Sequence, residues 1–185
     1  MAHDDDWTSS ETPLKRHAAL QPLSREHMSG LIQARNIQRA ADNGARERRD
    51  AVDAFVRVWR AEIREHFDDE ERLLLPVTSR PALRVRLLAE HGVLREIAGR
   101  CEREPASVAS DAAEMRRLGR LLHDHIRWEE RVFFESIQRE HPEALARMLH
   151  EADRIERHRP GARPRIRLDT HPDGPQKEHD DEHRS

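Results

Sequence analysis

The feature that most constrains the fold is a repeat: HFDDEERLLLP at residues 66–76 returns in looser form as HIRWEERVFFES at residues 125–136. Each copy reads His, an apolar residue, two variable residues, Glu-Glu-Arg and three apolar residues. A Glu-His pair precedes each copy, Glu26-His27 before the first and Glu90-His91 before the second. The order is therefore His, HxxxE, His, HxxxE. In a helix, residues four apart share a face roughly 6 Å apart, so His66 with Glu70 and His125 with Glu129 can each aim a nitrogen and an oxygen at one point.

One HxxxE alone is a weak signal, common on solvated helices; where these pairs fall makes it strong. The second helical segment carries an apolar seam of Val52, Phe55/Val56, Trp59 and Ile63 that continues onto His66, Glu70 and Leu73/Leu74. The fourth carries Met115, Leu118 and Leu122 and continues onto His125, Glu129 and Val132/Phe133. His27 lies on a stripe with Leu20, Leu23, Leu31 and Ala34, and His91 on one with Leu87, Leu94 and Ala98. All six ionisable residues are thus expected to face a core. An unpaired buried charge costs several kcal/mol, and a metal would satisfy the six together. Imidazole suits iron, zinc and copper, while bridging carboxylates suit two divalent ions held close together.

The remaining organisation is helical. Pro22 and Ser24 predict a first helix with Ser24 as N-cap, running to Asn43-Gly44. A second covers 45–75 and stops at Pro76. Residues 78–81 open a third that reaches about Arg103, a break follows at 104–107, and a fourth covers 108–139. Short loops make this an all-α, up-down-up-down four-helix bundle in which the candidate ligands fall at one level. Pro142 begins a shorter amphipathic helix over 142–157, which either packs across the bundle or engages a protein partner. Residues 1–19 read as a flexible N-terminal arm and 158–185 as a disordered charged tail, leaving 20–157 as the folded unit.

Composition narrows the function. The chain is 36% hydrophobic and 37% charged with a net charge of −3, which argues against a dedicated nucleic-acid binder. Nothing approaches the length of an apolar membrane span, and the acidic start MAHDDDW is unlike a secretion signal, so no membrane association is expected and the location reads as cytoplasmic. Cys101, the one cysteine, shares a stripe with Leu94 and Ala98 and reads as a small core residue.

At these residues the chain resembles the hemerythrin-like (HHE cation-binding) family, over roughly Leu20 to Arg139 and including the LSREH before and at His27. The resemblance implies a bundle holding a non-haem di-iron centre, with Glu70 and Glu129 bridging and His27, His66, His91 and His125 terminal. It also implies oxygen binding or sensing, peroxide or nitric-oxide chemistry, or iron-dependent regulation. Oxygen-carrying members have a further histidine where this chain has Arg95, and an aspartate five residues after the last histidine where this chain has Glu129 at four. Reversible oxygen carriage is therefore not what the pattern implies.

Two ferrous ions and two glutamates leave a net charge of about +2, which welcomes an oxo, hydroxo, peroxide or other small anionic bridge. Manganese and zinc accept the same donors. The chain contains no tyrosine, so no tyrosyl radical is available. Among neighbours, His123 is expected to point away from the site and Asp69 to be solvated or to bond a ligand. Glu71 and Glu130 are expected to pair with arginines, and Trp59 and Trp128 to pack. The readings left open are a centre that binds, senses or reduces oxygen, peroxide or nitric oxide; an iron-responsive module without turnover whose tail or helix 142–157 engages a protein partner; and a bundle whose ligand set is vestigial.

Overall fold

The computed structural model describes residues 15–163, and every regular element among them is a helix. Helix α1, Gln21–Ala40, follows a 3-10 turn at Ala18–Leu20. Pro22 sits in its first turn, where a missing N–H costs nothing. Its N-cap is Leu20, and Ser24 lies inside the helix. The chain begins to turn earlier than expected because the His17 side chain accepts from the Ala19 N–H. Helix α2 covers 45–74 as Ala45–Val58, a π-helical turn Trp59–Ile63 and Arg64–Leu74, and the turn Leu75–Val77 with Pro76 ends it. Helix α3 is Pro81–Arg103, and a short α4, Pro105–Ser110, occupies the expected break.

Helix α5 covers 112–140, started by Asp111, whose carboxylate accepts from the N–H groups of Ala113 and Glu114. It comprises Ala112–Trp128, a π-helical turn Glu129–Phe133 and Phe134–Glu140. A π turn inserts one extra residue and rotates the remainder of the helix by roughly 100°. Val132, expected on the core seam, is therefore 44% exposed, while Phe133, Phe134 and Ile137 are buried. Helices α6, Pro142–Arg147, and α7, Leu149–His158, close the chain with a turn at Pro160–Ala162.

Helices α1, α2, α3 and α5 form one helical bundle whose cross-links run in opposite sequence directions. Between α2 and α3, Arg60 pairs with Glu102, Arg95 with Asp68 and His91 with Glu71. Between α3 and α5, His125 pairs with Glu90 and Arg100 with Glu114. Arg16, just before α1, reaches Glu135 late in α5, while Asp42, just after α1, meets Arg116 early in it. Gly119 allows α1 and α5 to approach, since a Cβ there would lie 2.7 Å from the Ala34 carbonyl oxygen.

The buried apolar residues separate into two clusters. One contains Ile37, Phe55, Trp59, Met115, Leu122 and Ile126, and the other contains Leu20, Leu74, Leu87, Phe134, Leu145 and Ile155. The buried histidines and glutamates lie between them. The apolar stripe of 142–157 is spent on the second cluster, with Leu145, Ala152 and Ile155 buried.

The chain is ordered further at both ends than its sequence suggested. Arg16 and Ala19, in the stretch read as a flexible arm, are buried. Arg159 and Ala162, expected in a disordered tail, are buried as well. Ion pairs and packing on the bundle hold these flanks where apolar periodicity alone is absent. The rest of the expected arm and tail, with His3, His171, His179 and His183, lies outside the described residues. Among the described residues no helix is long and apolar enough to cross a membrane.

Candidate metal centre

His27 projects from α1, His66 and Glu70 from α2, His91 from α3, and His125 and Glu129 from α5, and none is more than 4% exposed. They fall into two overlapping groups of possible ligands, His27–His66–Glu70–Glu129 and Glu70–His91–His125–Glu129. The ligand atoms of each group lie within 4.8 Å of one another. Both groups share the two glutamates.

The glutamates divide their oxygens between the halves. Glu70 turns Oε1 toward the Nε2 atoms of His27 and His66, at 3.6 and 3.2 Å, and Oε2 toward that of His91, at 3.4 Å. Glu129 turns Oε2 toward His27, at 3.2 Å, and Oε1 toward His91 and His125, at 3.5 and 3.0 Å. These atoms are close, yet none of the four Nε2 atoms or four carboxylate oxygens makes a hydrogen bond. Buried polar atoms are rarely left so. Eight ligand atoms that converge without bonding one another fit a site for metal cations between them.

The outer ring nitrogens are held in a regular way. The Nδ1–H of His27 donates to Glu130 at 2.5 Å, that of His66 to Glu26 at 3.0 Å, that of His91 to Glu71 at 2.7 Å and that of His125 to Glu90 at 2.8 Å. A carboxylate on Nδ1 fixes the tautomer that leaves Nε2 as an acceptor facing inward, the form a metal ligand needs. The arrangement is a pseudo-twofold. Residues 26, 27, 66, 70 and 71 play the parts that 90, 91, 125, 129 and 130 play in the other half.

A guanidinium backs each carboxylate in turn. Arg16 meets Glu130 at 2.6 Å, Arg159 meets Glu26 at 2.8 Å, Arg95 meets Glu71 at 2.5 Å and Arg86 meets Glu90 at 2.7 Å. Four outer carboxylates are thus answered by four arginines. The charge left at the centre is set by Glu70 and Glu129 together with whatever cations they hold.

Electrostatics in the metal-free chain follow from this crowding. Burial works against a charged imidazole, but Glu70 and Glu26 outweigh it at His66, and Glu129 and Glu90 at His125, lifting both to about 9. His27 is held well above its ordinary value despite burial, through Glu129, Glu130 and Glu70. Burial would raise the Glu70 carboxyl, yet His66, His27 and His91 hold it well below the usual carboxylate range.

Aromatic rings fix the imidazoles further. Phe67 stacks on His91, with centroids 3.8 Å apart, and Phe134 stacks on His27 at 5.4 Å. Trp59 meets Phe67 edge-on, and Trp128 carries the Arg86 guanidinium over its ring at 4.3 Å, so both tryptophans act in packing. A cavity of about 10 Å³ lies against His27, His66, Gly30, Ile63, Leu122 and Ile126.

Several neighbours differ from their sequence reading. His123 is exposed and bonds Asp124, away from the centre as expected. Asp69 is buried rather than solvated and touches no candidate ligand; it meets Arg72, Arg154 and Arg159. Glu71 and Glu130 do pair with arginines, and each also holds an imidazole. Arg95 turns to Glu71 and Asp68, outside the centre. The sequence did carry a signal for the four outer glutamates, since each stands next to a candidate ligand in both halves of the repeat. It carried none for Arg16 or Arg159.

Compared with known proteins, residues 18–137 match the family model described as the hemerythrin HHE cation binding domain. No curated protein and no solved structure matches the chain.

Proposed function

Because the chain belongs to the hemerythrin HHE cation-binding family, we propose that His27, His66, Glu70, His91, His125 and Glu129 hold two iron ions, and that the centre binds, senses or reduces oxygen, peroxide or nitric oxide. The observation that carries this is the division of oxygens: Glu70 and Glu129 each turn one oxygen to the His27/His66 half and the other to the His91/His125 half. This division supports carboxylates shared between two cations. A ferrous pair, once bound, would supply redox exchange with a small ligand. The alternating direction of the helix cross-links supports an up-down-up-down reading of the bundle.

The protein's own part is positioning and exclusion. Each half offers two imidazoles and two shared carboxylate oxygens, fewer than the roughly six donors an octahedral ion accepts, which leaves room for a further small ligand. The cavity beside His27 and His66 has room for about one water-sized molecule. Its size and apolar walls favour a diatomic or peroxide-sized ligand over an organic substrate. Two divalent ions with Glu70 and Glu129 would keep a net charge near +2 at the ligand atoms themselves and favour a small anion. Arg95, where oxygen carriers have a further histidine, is engaged elsewhere, which supports sensing or reduction over reversible carriage.

The test is elemental analysis of untagged protein from iron-replete cells, followed by spectra of the reduced protein exposed to oxygen, peroxide and nitric oxide. About two irons per chain, lost in His66→Ala or His125→Ala, and a spectral response to one ligand are expected. Iron bound without any response would leave the iron-responsive module, a second reading favoured by the Arg16 and Arg159 links to the chain flanks. No metal, even after anaerobic reconstitution, would leave only the vestigial bundle.

A further inference from the structure

The pseudo-twofold of the centre ends at its arginines. Arg86 and Arg95 both come from α3 and are 47% and 31% exposed. Arg16 and Arg159 come from the two chain flanks, outside the four long helices, and are 6% and 5% exposed. Both flank arginines serve the same half: Arg16 backs Glu130, the partner of His27, and Arg159 backs Glu26, the partner of His66. One half of the centre is therefore braced by the bundle and open to solvent at its outer layer, while the other is closed by buried charges that the flanks deliver.

Arg159 is held in depth by ion pairs, none of its guanidinium nitrogens making a hydrogen bond. It lies between Glu26, at 2.8 Å, and Asp69, at 3.0 Å, and Asp69 is shared with Arg72 and Arg154. The segment carrying it is fastened to α1 by Arg25, which pairs with Glu156 and donates to the Ala162 carbonyl at 3.0 Å. A buried guanidinium between two carboxylates is stable only while both stay in place. Whatever fixes Glu26 also fixes Arg159, and the reverse.

We propose that Arg16 and Arg159 are positioning residues through which docking of the chain flanks, 15–20 and 149–163, is coupled to occupancy of the His27/His66 half of the metal centre. The proposal rests on the two-metal reading above. A metal on the Nε2 of His66 favours the imidazole that donates from Nδ1 to Glu26, and Glu26 held in that pose holds Arg159. Coupling of two equilibria is reciprocal, so docked flanks retain the metal and a bound metal retains the flanks by the same factor. Among the described residues no flank arginine backs the His91/His125 half, which makes the two metal positions unequal in exchange although their ligands are alike. Helix α7 becomes a reporter of how the centre is loaded.

The test uses the full chain loaded anaerobically with ferrous iron. Extraction by a chromogenic ferrous chelator is expected in two phases. Arg159→Gln and Arg16→Gln should speed the slow phase about tenfold, as loss of outer-layer support does for other metal sites, and leave the fast phase unchanged. Arg86→Gln and Arg95→Gln should affect only the fast phase, and Arg159→Lys should restore part of the slow one. In the unsubstituted protein, iron removal should speed amide hydrogen exchange across 149–163 at least tenfold more than across 97–103 of α3. This arm needs no variant and decides the matter if Arg159→Gln does not fold. Equal extraction from all four glutamine variants, or exchange at 149–163 indifferent to iron, would overturn the coupling while leaving the metal centre intact. A chain that takes up no iron at all would overturn the metal reading itself.

Discussion

Phe67 lies flat against His91, with ring planes 6° apart and centroids 3.8 Å apart. The residue that follows the first repeat's histidine thus braces the histidine of the next helix, and Trp59 and the Arg95 guanidinium close in on the same ring. Phe67 is 1% exposed. Phe67→Ala should cost about 3–5 kcal/mol of stability, the range for a buried phenylalanine. Phe67→Leu should cost less, yet it also removes the flat face that sets the His91 ring. Denaturant unfolding and metal content measured on both variants separate the roles. If Phe67→Leu keeps its full metal content and retention, the ring is packing and no more.

Glu71 and Glu130 stand one residue after the shared glutamates and hold His91 and His27 across the bundle. Glu71→Gln and Glu130→Gln keep shape and remove charge, and each should lower iron affinity roughly 10–100-fold. Competition titration against a chelator of known affinity reads this directly. An affinity unchanged within twofold in both variants would mean that the imidazoles need no anionic partner.

Much of this was legible in the sequence because the repeat is chemical and periodic at once. His66, Glu70, His125 and Glu129 stand on apolar seams at helical spacing, and that spacing survives folding unchanged. Val132 shows where the reading fails: a π turn begins at Glu129, inside the ligand set, and no residue pattern announces the extra residue. Arg16 and Arg159 were invisible for a different reason. They lie in stretches without apolar periodicity, where long-range charge pairs rather than stripes hold the chain, and such pairs leave no local pattern.

The metal-free and loaded proteins should diverge in stability as pH rises. In the metal-free chain His66 and His125 are lifted from 6.5 to about 9. Their stabilising contribution is complete below the unfolded value of 6.5 and is lost as pH rises through about 9. Glu70 is shifted the other way from 4.5, so its contribution is present above that value and is lost as pH falls. Metal-free stability should therefore peak at about pH 5–6.5 and decline toward pH 9. Protons and metal compete for the same Nε2 atoms, so the added stability of the iron-loaded protein should grow over the same alkaline interval. Thermal unfolding with and without iron between about pH 6 and 9 checks both signs. A metal-free protein that becomes more stable over that interval would contradict the charged-imidazole reading.

Gly30 sets the size of the cavity beside His27 and His66. A Cβ at this position would lie 2.6 Å from Ile126 Cδ1, a contact relieved by moving the end of a flexible side chain. The available space is the cavity of about 10 Å³ that Gly30 and Ile126 themselves line. Gly30→Ala should therefore be tolerated, because alanine gains up to about 1 kcal/mol over glycine inside a helix and offsets the repacking. Its cost should fall on access, since filling the cavity removes the pocket a small ligand would enter. Stopped-flow mixing of the reduced, iron-loaded variant with oxygen or nitric oxide should show association slowed at least about tenfold, with iron content and unfolding midpoint near those of the parent. An unchanged rate would move the entry route to the other half of the centre, where a cleft of about 190 Å³ reaches His125 between Val93 and Leu121.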